Sequence, residues 1–305
     1  MTHQKILLAV DGSDRAFEAV RYLIDLEAFH DSKVTLFNVF SGIPQAYRDL
    51  GKDPQFAKSF REVSAWESQQ KKAIEQYMKD AVNTLIQGGF SKDALKTKVQ
   101  NKKEGVARDI ISEAQKGYDC LVIGRKGVSK IREIALGSVA NKLLEKIFFL
   151  PVMMVGFKKQ PPGKILIAMD KSDGAMRGVD FVGKTLGNSD FKAHLVHVIR
   201  GRQEFQNFFL PQESSEVVRK EIKAVLDDAR DRLIFAGFAP DNVTCQVITG
   251  VRSRAGAIIR EAEAGGYETI VFGRRGLSRV QAFFIGRVGN KIIQMARRHT
   301  VWVIT

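Results

Sequence analysis

Residues 120–142 read CLVIGRKGVSKIREIALGSVANK: a short apolar run, a loop with spaced glycines, and then a helical pattern. The glycines are Gly124, Gly127 and Gly137, and Ser138 follows the last of them. An apolar run that ends at glycine favours a buried strand, and Ser138 opens the helical stretch. Glycines let backbone N–H groups approach an anion, and a helix start adds unpaired donors and a favourable dipole. The stretch therefore predicts a phosphate-binding loop between a strand and a helix.

The same arrangement recurs in the second half of the chain with one substitution. Gly273, Gly276 and Gly286 have the same spacing, but Arg287 stands where the first copy has Ser138. A small hydroxyl leaves the helix-start N–H groups open, whereas a long guanidinium fills that space or pairs with a phosphate or with Asp170. We expect a degenerate, mainly structural second site.

The repeat extends well beyond the glycines. KILLAVDGSD at 5–14 recurs as KILIAMDKSD, and a chain of 305 residues is long enough for about two domains. We predict one domain over 1–156 and a second over 164–305. Paired prolines and a glycine make 157–163 the expected linker, because these residues break both helix and strand.

Short β-branched runs alternate with longer helical patterns in each copy, which favours an α/β fold. The strands are nearly continuous apolar runs, as expected where helices cover both faces of a parallel sheet. We therefore predict two tandem, open, five-stranded parallel sheets with helices on both faces, a Rossmann-like architecture. We also expect long connections over 41–62 and 200–212, the first followed by a helix near 64–88.

Composition limits the class of protein. The net charge of +14 favours anionic partners in general, although most charges are expected on solvated helix faces and nucleic acid is not the favoured partner. Only two cysteines occur, the chain opens without a signal-peptide pattern, and no apolar stretch approaches membrane-helix length. These features predict a cytoplasmic protein without a membrane span. No metal-ligand spacing, Walker loop or nucleophile elbow is present.

A binding site is expected at the carboxyl ends of the strands. Asp11 ends the first strand and Gly124 the fourth, and ligands bind open parallel sheets where the strand order reverses. A carboxylate repels phosphates, so Asp11 is expected to face a base or ribose. The alternative is that Asp11 and Ser13 only cap the first helix. Arg125, directly after Gly124, is expected to be a solvated surface charge; the alternative is that it lowers the repulsion between phosphates.

Asp11 and the spaced motif from Gly124 to Ser138 resemble the ATP-binding class of universal stress proteins, and the whole chain resembles a tandem-domain member. The resemblance implies a fold similar to that of the adenine nucleotide alpha hydrolases. It implies that adenosine, ribose and phosphates are held by Asp11, Val39, Gly124, Gly127, Gly137, Ser138 and Val139. A second, weaker site would comprise Asp170, Val198, Gly273, Gly276, Gly286 and Arg287.

These expectations describe a cytoplasmic stress-response regulatory protein that binds ATP, with or without Mg²⁺, mainly in its first domain. No general base is evident, so no efficient catalysis is expected and slow ATP hydrolysis is the most that the resemblance implies. The alternative is a non-enzymatic interaction module that binds another anionic or apolar ligand. The apolar closing strands near 150–155 and 300–304 predict pseudo-twofold pairing of the two copies, and both a monomer and a homodimer stay open.

Overall fold

The computed structural model describes residues 4–43, 45–50, 53–125, 136–156, 163–201, 212–274 and 285–305. Gly127, Gly276 and the linker residues 157–162 lie outside these ranges, as does most of the predicted connection over 200–212. None of the helices in the described ranges is both long and apolar enough to cross a membrane.

Ten strands and nine helices are described. The strands are β1 Lys5–Ala9, β2 Lys33–Phe40, β3 Leu95–Asn101, β4 Cys120–Gly124, β5 Val152–Val155, β6 Lys164–Met169, β7 Lys192–Arg200, β8 Val243–Val251, β9 Thr269–Gly273 and β10 Thr300–Ile304. The helices are α1 Asp14–Asp25, α2 Gln45–Leu50, α3 Ala57–Gln87, α4 Val106–Ala114, α5 Ser138–Lys146, α6 Asp173–Leu186, α7 Gln212–Phe235, α8 Arg254–Gly265 and α9 Gly286–Met295.

The first of two compact units runs from the amino terminus through β4 and includes Gly137–Leu143. Its four strands are parallel and lie in the order β3-β2-β1-β4. Four consecutive residues are buried in β1 and again in β4. Successive strand residues point to opposite faces, so helices must cover both faces. The order reverses between β1 and β4, as the α/β prediction requires.

The second compact unit contains Leu144–Thr305 and has the strand order β5-β10-β9-β6-β7-β8. Its strands are parallel except β5, which pairs antiparallel with β10. Trp302 of β10 is fully buried and packs edge-on against Phe181 with ring centroids 5.8 Å apart. The predicted α/β class of mostly parallel strands is thus confirmed, whereas the predicted domain boundaries, pseudo-twofold pairing and homodimer stay predictions.

The predicted connection over 41–62 is wrong in part. It contains α2, and α3 begins at Ala57 rather than near residue 64. The first turns of α3 bury no apolar side chain, so hydrophobic periodicity gave no sign of a helix there. Helical structure persists because no glycine or proline interrupts the chain from Ala57 to Gln87.

A buried carboxylate ties α4 to the edge of the first sheet. Glu113 of α4 accepts hydrogen bonds from Lys98 of β3 at 2.5 Å, from Lys116 at 2.8 Å and from the Tyr118 hydroxyl at 3.1 Å. Burial opposes ionisation of Glu113, but these hydrogen bonds outweigh it and hold its pKa below the usual value.

Candidate functional site

A cavity of about 410 Å³ opens at the carboxyl ends of β1, β2 and β4 in the first unit. Its walls come from the strand ends, from the starts of α1, α4 and α5, and from one face of α3. The volume lies within the range of small-molecule sites, about 300–1,000 Å³. The cavity therefore occupies the switch point of strand order, where ligands of open α/β sheets bind.

The cavity brings together most residues that the sequence nominated for the first site. The described members of that set all line it: Asp11, Val39, Gly124, Gly137, Ser138 and Val139. They come from four separate elements or their ends, so their convergence is a property of the fold. Gly127 lies outside the described residues.

The turn between β1 and α1 presents Asp11 to the cavity. Its carboxylate oxygen Oδ1 accepts hydrogen bonds from the Ser13 backbone N–H at 3.1 Å and from the Ser13 hydroxyl at 2.6 Å. The Ser13 Oγ in turn accepts from the Ala16 N–H at 3.1 Å and caps α1. Capping and lining are therefore compatible, because Ser13 caps the helix while Asp11 is oriented at the cavity wall.

Asn38 is a site residue that the sequence reasoning missed. It is buried near the end of β2, and its side-chain amide donates a hydrogen bond to the Val10 carbonyl at 2.9 Å. The Val10 N–H donates back across the strands to the Phe37 carbonyl at 2.9 Å. These bonds hold the ends of β1 and β2 together beneath the cavity. A polar residue within the apolar run of β2 was the available signal.

The opposite wall is the junction between β4 and α5. The Gly137 N–H donates to the Arg125 carbonyl at 2.9 Å, which closes the loop between strand and helix. Ser138 is the first residue of α5 and is exposed, so the first turn of the helix opens toward the cavity. The expectation for Arg125 is wrong: its side chain is 1% exposed rather than solvated, although it also lines the cavity.

One face of α3 supplies the remaining wall through Trp66, Gln70 and Ile74. None of the three was nominated from the sequence. Their spacing of four residues places them on one side of the helix, which is the signal that could have found them.

A phenol lies close to the Asp11 turn. Tyr77 of α3 packs edge-on against Phe17 of α1, with ring centroids 5.6 Å apart, and its hydroxyl is buried without a hydrogen-bond partner among the described residues. Burial, and then the negative charges of Asp11 and Asp14, raises the pKa of Tyr77 above its usual value. The phenol therefore stays neutral and adds no charge to the site.

The second copy keeps the Asp turn but changes its surroundings. Asp170 follows β6, and its Oδ1 accepts hydrogen bonds from both the N–H and the hydroxyl of Ser172. His197 stands at the β7 position that corresponds to Asn38 in β2. Burial lowers the pKa of His197, and the charges of Arg254 and Lys171 act in the same direction, against the pull of Asp170 and the Met169 carbonyl.

The other nominated residues of the second site are placed as follows. Val198 is buried in β7, Gly273 ends β9, and Gly286 and Arg287 open α9. The Arg287 side chain is exposed, and no described hydrogen bond or ion pair joins it to Asp170. Gly276 lies outside the described residues.

Two close approaches occur among residues of the second copy. A Cβ atom on Gly273 would lie 1.8 Å from the Gly174 carbonyl oxygen, so the end of β9 and the start of α6 touch through backbone alone. A Cβ atom on Gly289 of α9 would lie 2.6 Å from the Phe272 ring. The first copy has Ile123 at the position of Phe272, and that isoleucine lines the open cavity. The first copy has Ala140 at the position of Gly289, so the larger strand residue of the second copy is accompanied by a smaller helix residue.

Two regions of the chain, residues 2–156 and 162–304, each match the universal stress protein family. A universal stress protein of Mycolicibacterium smegmatis is 25% identical over 197 residues, which cover 59% of this chain and 63% of that protein. A putative universal stress protein of Staphylococcus haemolyticus is 23% identical over 144 residues, covering 47% of this chain and 79% of that protein.

Solved structures agree with the fold over the whole chain. A universal stress protein from Archaeoglobus fulgidus has a TM-score of 0.60 at 21% identity, covering 100% of this chain and 99% of its own. A putative universal stress protein from Pseudomonas aeruginosa UCBPP-PA14 has a TM-score of 0.59 at 16% identity, with 99% and 93% covered.

Proposed function

Since the chain belongs to the universal stress protein family, we propose that it binds an adenine nucleotide, ATP, in the cavity of its first unit. Occupancy of that cavity by ATP would make the chain a nucleotide-binding regulatory protein of the stress response. The observation that carries the proposal is the convergence of Asp11, Val39 and the β4–α5 junction on one cavity that ends at a helix start.

The geometry divides the cavity into three parts. The open first turn of α5 at Ser138 supplies backbone N–H donors and the positive end of the helix dipole, so it suits the phosphates. Asp11 carries a negative charge and suits the ribose hydroxyls rather than the phosphates. The end of β2, with Val39 beside the apolar side chains of Val106 and Ile110, suits the flat apolar faces of the base.

The cavity favours binding over turnover. Among the described residues that line it, Asp11 is the one carboxylate, and none is a histidine, lysine or cysteine. The Asp11 carboxylate is already engaged by Ser13, which leaves no positioned general base among the described residues of the cavity wall. No described cluster of carboxylate, histidine and cysteine groups would hold a metal ion. An accompanying Mg²⁺ would therefore be held chiefly by the phosphates.

The cytoplasmic setting is part of the same proposal. The two cysteines, Cys120 and Cys245, are both free thiols. Free thiols in a chain of this size are typical of a reducing compartment.

Titration calorimetry with ATP tests the proposal. We expect a dissociation constant near 1 μM, or about −8 kcal/mol. Ser138→Arg should weaken binding at least about tenfold, because the guanidinium would occupy the phosphate end of the cavity. Ser68→Arg is the matched control, since it adds the same charge at an exposed position of α3 outside the cavity.

Unchanged ATP affinity in Ser138→Arg would contradict this site. Absence of ATP binding in the wild-type protein would favour the interaction module, in which the cavity holds another anionic or apolar ligand. Mass spectrometry of small molecules that co-purify with the protein would then identify the class of that ligand.

A further inference from the structure

Helix α3 is longer than its packing on the sheet requires. Its 31 residues span about 46 Å, and its core-facing stripe of Met78, Ala81 and Leu85 is confined to the second half. All three side chains are at most 3% exposed. No residue of the helix from Ala57 to Tyr77 is buried.

A row of residues leads along α3 from the buried stripe to the cavity. Counting back from Met78 in steps of four residues gives Ile74, Gln70 and Trp66, and each step turns about 40° round the helix, so the row drifts gradually away from the buried stripe. All three line the cavity instead of the core. Trp66 is 53% exposed and lies at the far end of this row, against the cavity. A cavity-lining indole that no core covers is placed to be covered by a ligand.

The contacts of Glu67 locate this wall at one end of the cavity. Its Oε1 accepts hydrogen bonds from the Ile43 N–H at 2.9 Å and from Arg48 at 2.7 Å. Ile43 lies three residues after the end of β2, so Trp66, beside Glu67, is held near β2. The phosphate end at β4 is separated from β2 by β1 in the strand order. Trp66 therefore stands at the base end of the cavity.

We infer that Trp66 and Gln70 form a base-recognition wall, in which the indole covers one face of a purine ring and the Gln70 amide reads its edge. This inference rests on the proposed function, because it names the part of the bound nucleotide that α3 contacts. Stacking between a base and an aromatic side chain tolerates any base, so Trp66 supplies affinity. Gln70 supplies the selectivity between bases, because its amide offers a donor group and an acceptor group side by side.

That amide pattern favours adenine over guanine. The adenine edge presents N6–H₂ as a donor beside N7 as an acceptor, which a glutamine amide matches with two hydrogen bonds. The corresponding guanine edge presents two acceptors, O6 and N7, and leaves the glutamine carbonyl facing an acceptor. The wall therefore predicts a preference for ATP over GTP.

The second copy provides a natural substitution at both positions. Aligned on Leu85 and Leu233, the sequence has Ser214 at the position of Trp66 and Val218 at the position of Gln70. The second copy therefore carries neither the aromatic face nor the amide. Trp66→Ser and Gln70→Val transfer its residues into the first site, with Val63→Ala as a control on the same helix outside the cavity.

The experiment combines calorimetry with tryptophan fluorescence on the full chain. The probes are ATP, GTP and inorganic triphosphate. Trp66→Ser should weaken ATP binding about 5- to 150-fold, the range for removal of one base stack, while binding of triphosphate and the Val63→Ala affinity stay unchanged. Gln70→Val should bring the affinities for ATP and GTP together.

Fluorescence tests the same contact without a variant. The chain has two tryptophans, and Trp302 is fully buried, so iodide quenching reports Trp66. Saturating ATP should lower the iodide quenching constant severalfold, whereas inorganic triphosphate should not. ATP binding with unchanged quenching, or with equal affinity in wild type and Trp66→Ser, would overturn the inference and leave the nucleotide site intact. Failure of wild type to bind ATP would instead refute the proposed function.

Discussion

Two glycines with the same φ angle allow backbone strain and side-chain crowding at the candidate site to be measured separately. Gly12, between Asp11 and Ser13, and Gly117 both have φ of +83°. A Cβ atom on Gly117 would meet nothing within 4 Å, whereas one on Gly12 would lie 2.5 Å from Ile74 Cδ1. Alanine at either position has the same positive φ, but only Gly12→Ala also displaces a side chain of the cavity wall.

The expected losses of stability follow from the strained φ angle and from crowding against Ile74. Left-handed φ costs an alanine about 1–2 kcal/mol, so Gly117→Ala should lower the free energy of unfolding by that amount. Moving Ile74 Cδ1 off its rotamer adds roughly 1 kcal/mol in Gly12→Ala. Ile74→Val removes Cδ1 and leaves Cγ1 at 4.0 Å, an ordinary contact, so the extra cost should vanish in the Gly12→Ala, Ile74→Val double variant.

Urea unfolding followed by circular dichroism measures the free energies of unfolding of the wild type, of Gly117→Ala, Gly12→Ala and Ile74→Val, and of the double variant. Hydrogen exchange of the α1 amides shows whether the loss is local. Gly12→Ala should also weaken ATP binding, since its turn orients Asp11, while Gly117→Ala should not. Equal destabilisation by the two alanine substitutions, or no coupling between Gly12→Ala and Ile74→Val, would refute the crowding argument.

The remaining predictions concern stoichiometry and pH. At saturation calorimetry should count about one tightly bound nucleotide per chain, because Arg287 replaces the small hydroxyl of Ser138 at the start of α9; Ser138→Arg should lower that number and Arg287→Ser should raise it or tighten the second site. Two equal wild-type sites would show that this interpretation of Arg287 is wrong. The lowered pKa of Glu113 stabilises the fold fully above its ordinary value of 4.5, and this contribution is lost as the pH falls through the lowered pKa. Glu113→Gln should therefore lower the melting temperature at pH 7 and flatten its decline in acid, and a parallel decline in both proteins would contradict the network.

Local patterns in the sequence were sufficient for the fold class, and they nominated Asp11, Val39 and the β4–α5 junction, which line the cavity of the first unit. The run from Cys120 to Ile123 is apolar at every position, and glycine spacing marks where the strand ends and the helix begins. Both signals come from residues that are neighbours in the chain. Their hydrogen-bonding groups and allowed dihedral angles do not depend on the tertiary context. The duplication then placed Asp11 and Asp170 at equivalent strand ends.

Burial at the site could not be predicted from local patterns in the sequence. The sequence predicted Arg125 as a surface charge, yet its side chain is 1% exposed. Trp66 is a large aromatic residue of a helix that carries a buried stripe, yet it is half-exposed. Whether a position on a helix or loop is covered depends on which distant segment lies over it, and periodicity carries no information about that segment.

The direction of β5 and the asymmetry of the two copies were also decided by tertiary packing. An apolar run predicts a strand, but alternation and β-propensity are the same for parallel and antiparallel partners. The antiparallel pairing of β5 with β10 therefore became evident only in the tertiary structure. In the sequence, Arg287 indicated that the second site differs from the first. The close approach of the Phe272 ring to Gly289, and the contact of Gly273 with Gly174, required the packed structure, because close approach between segments far apart in the chain is set by three-dimensional packing.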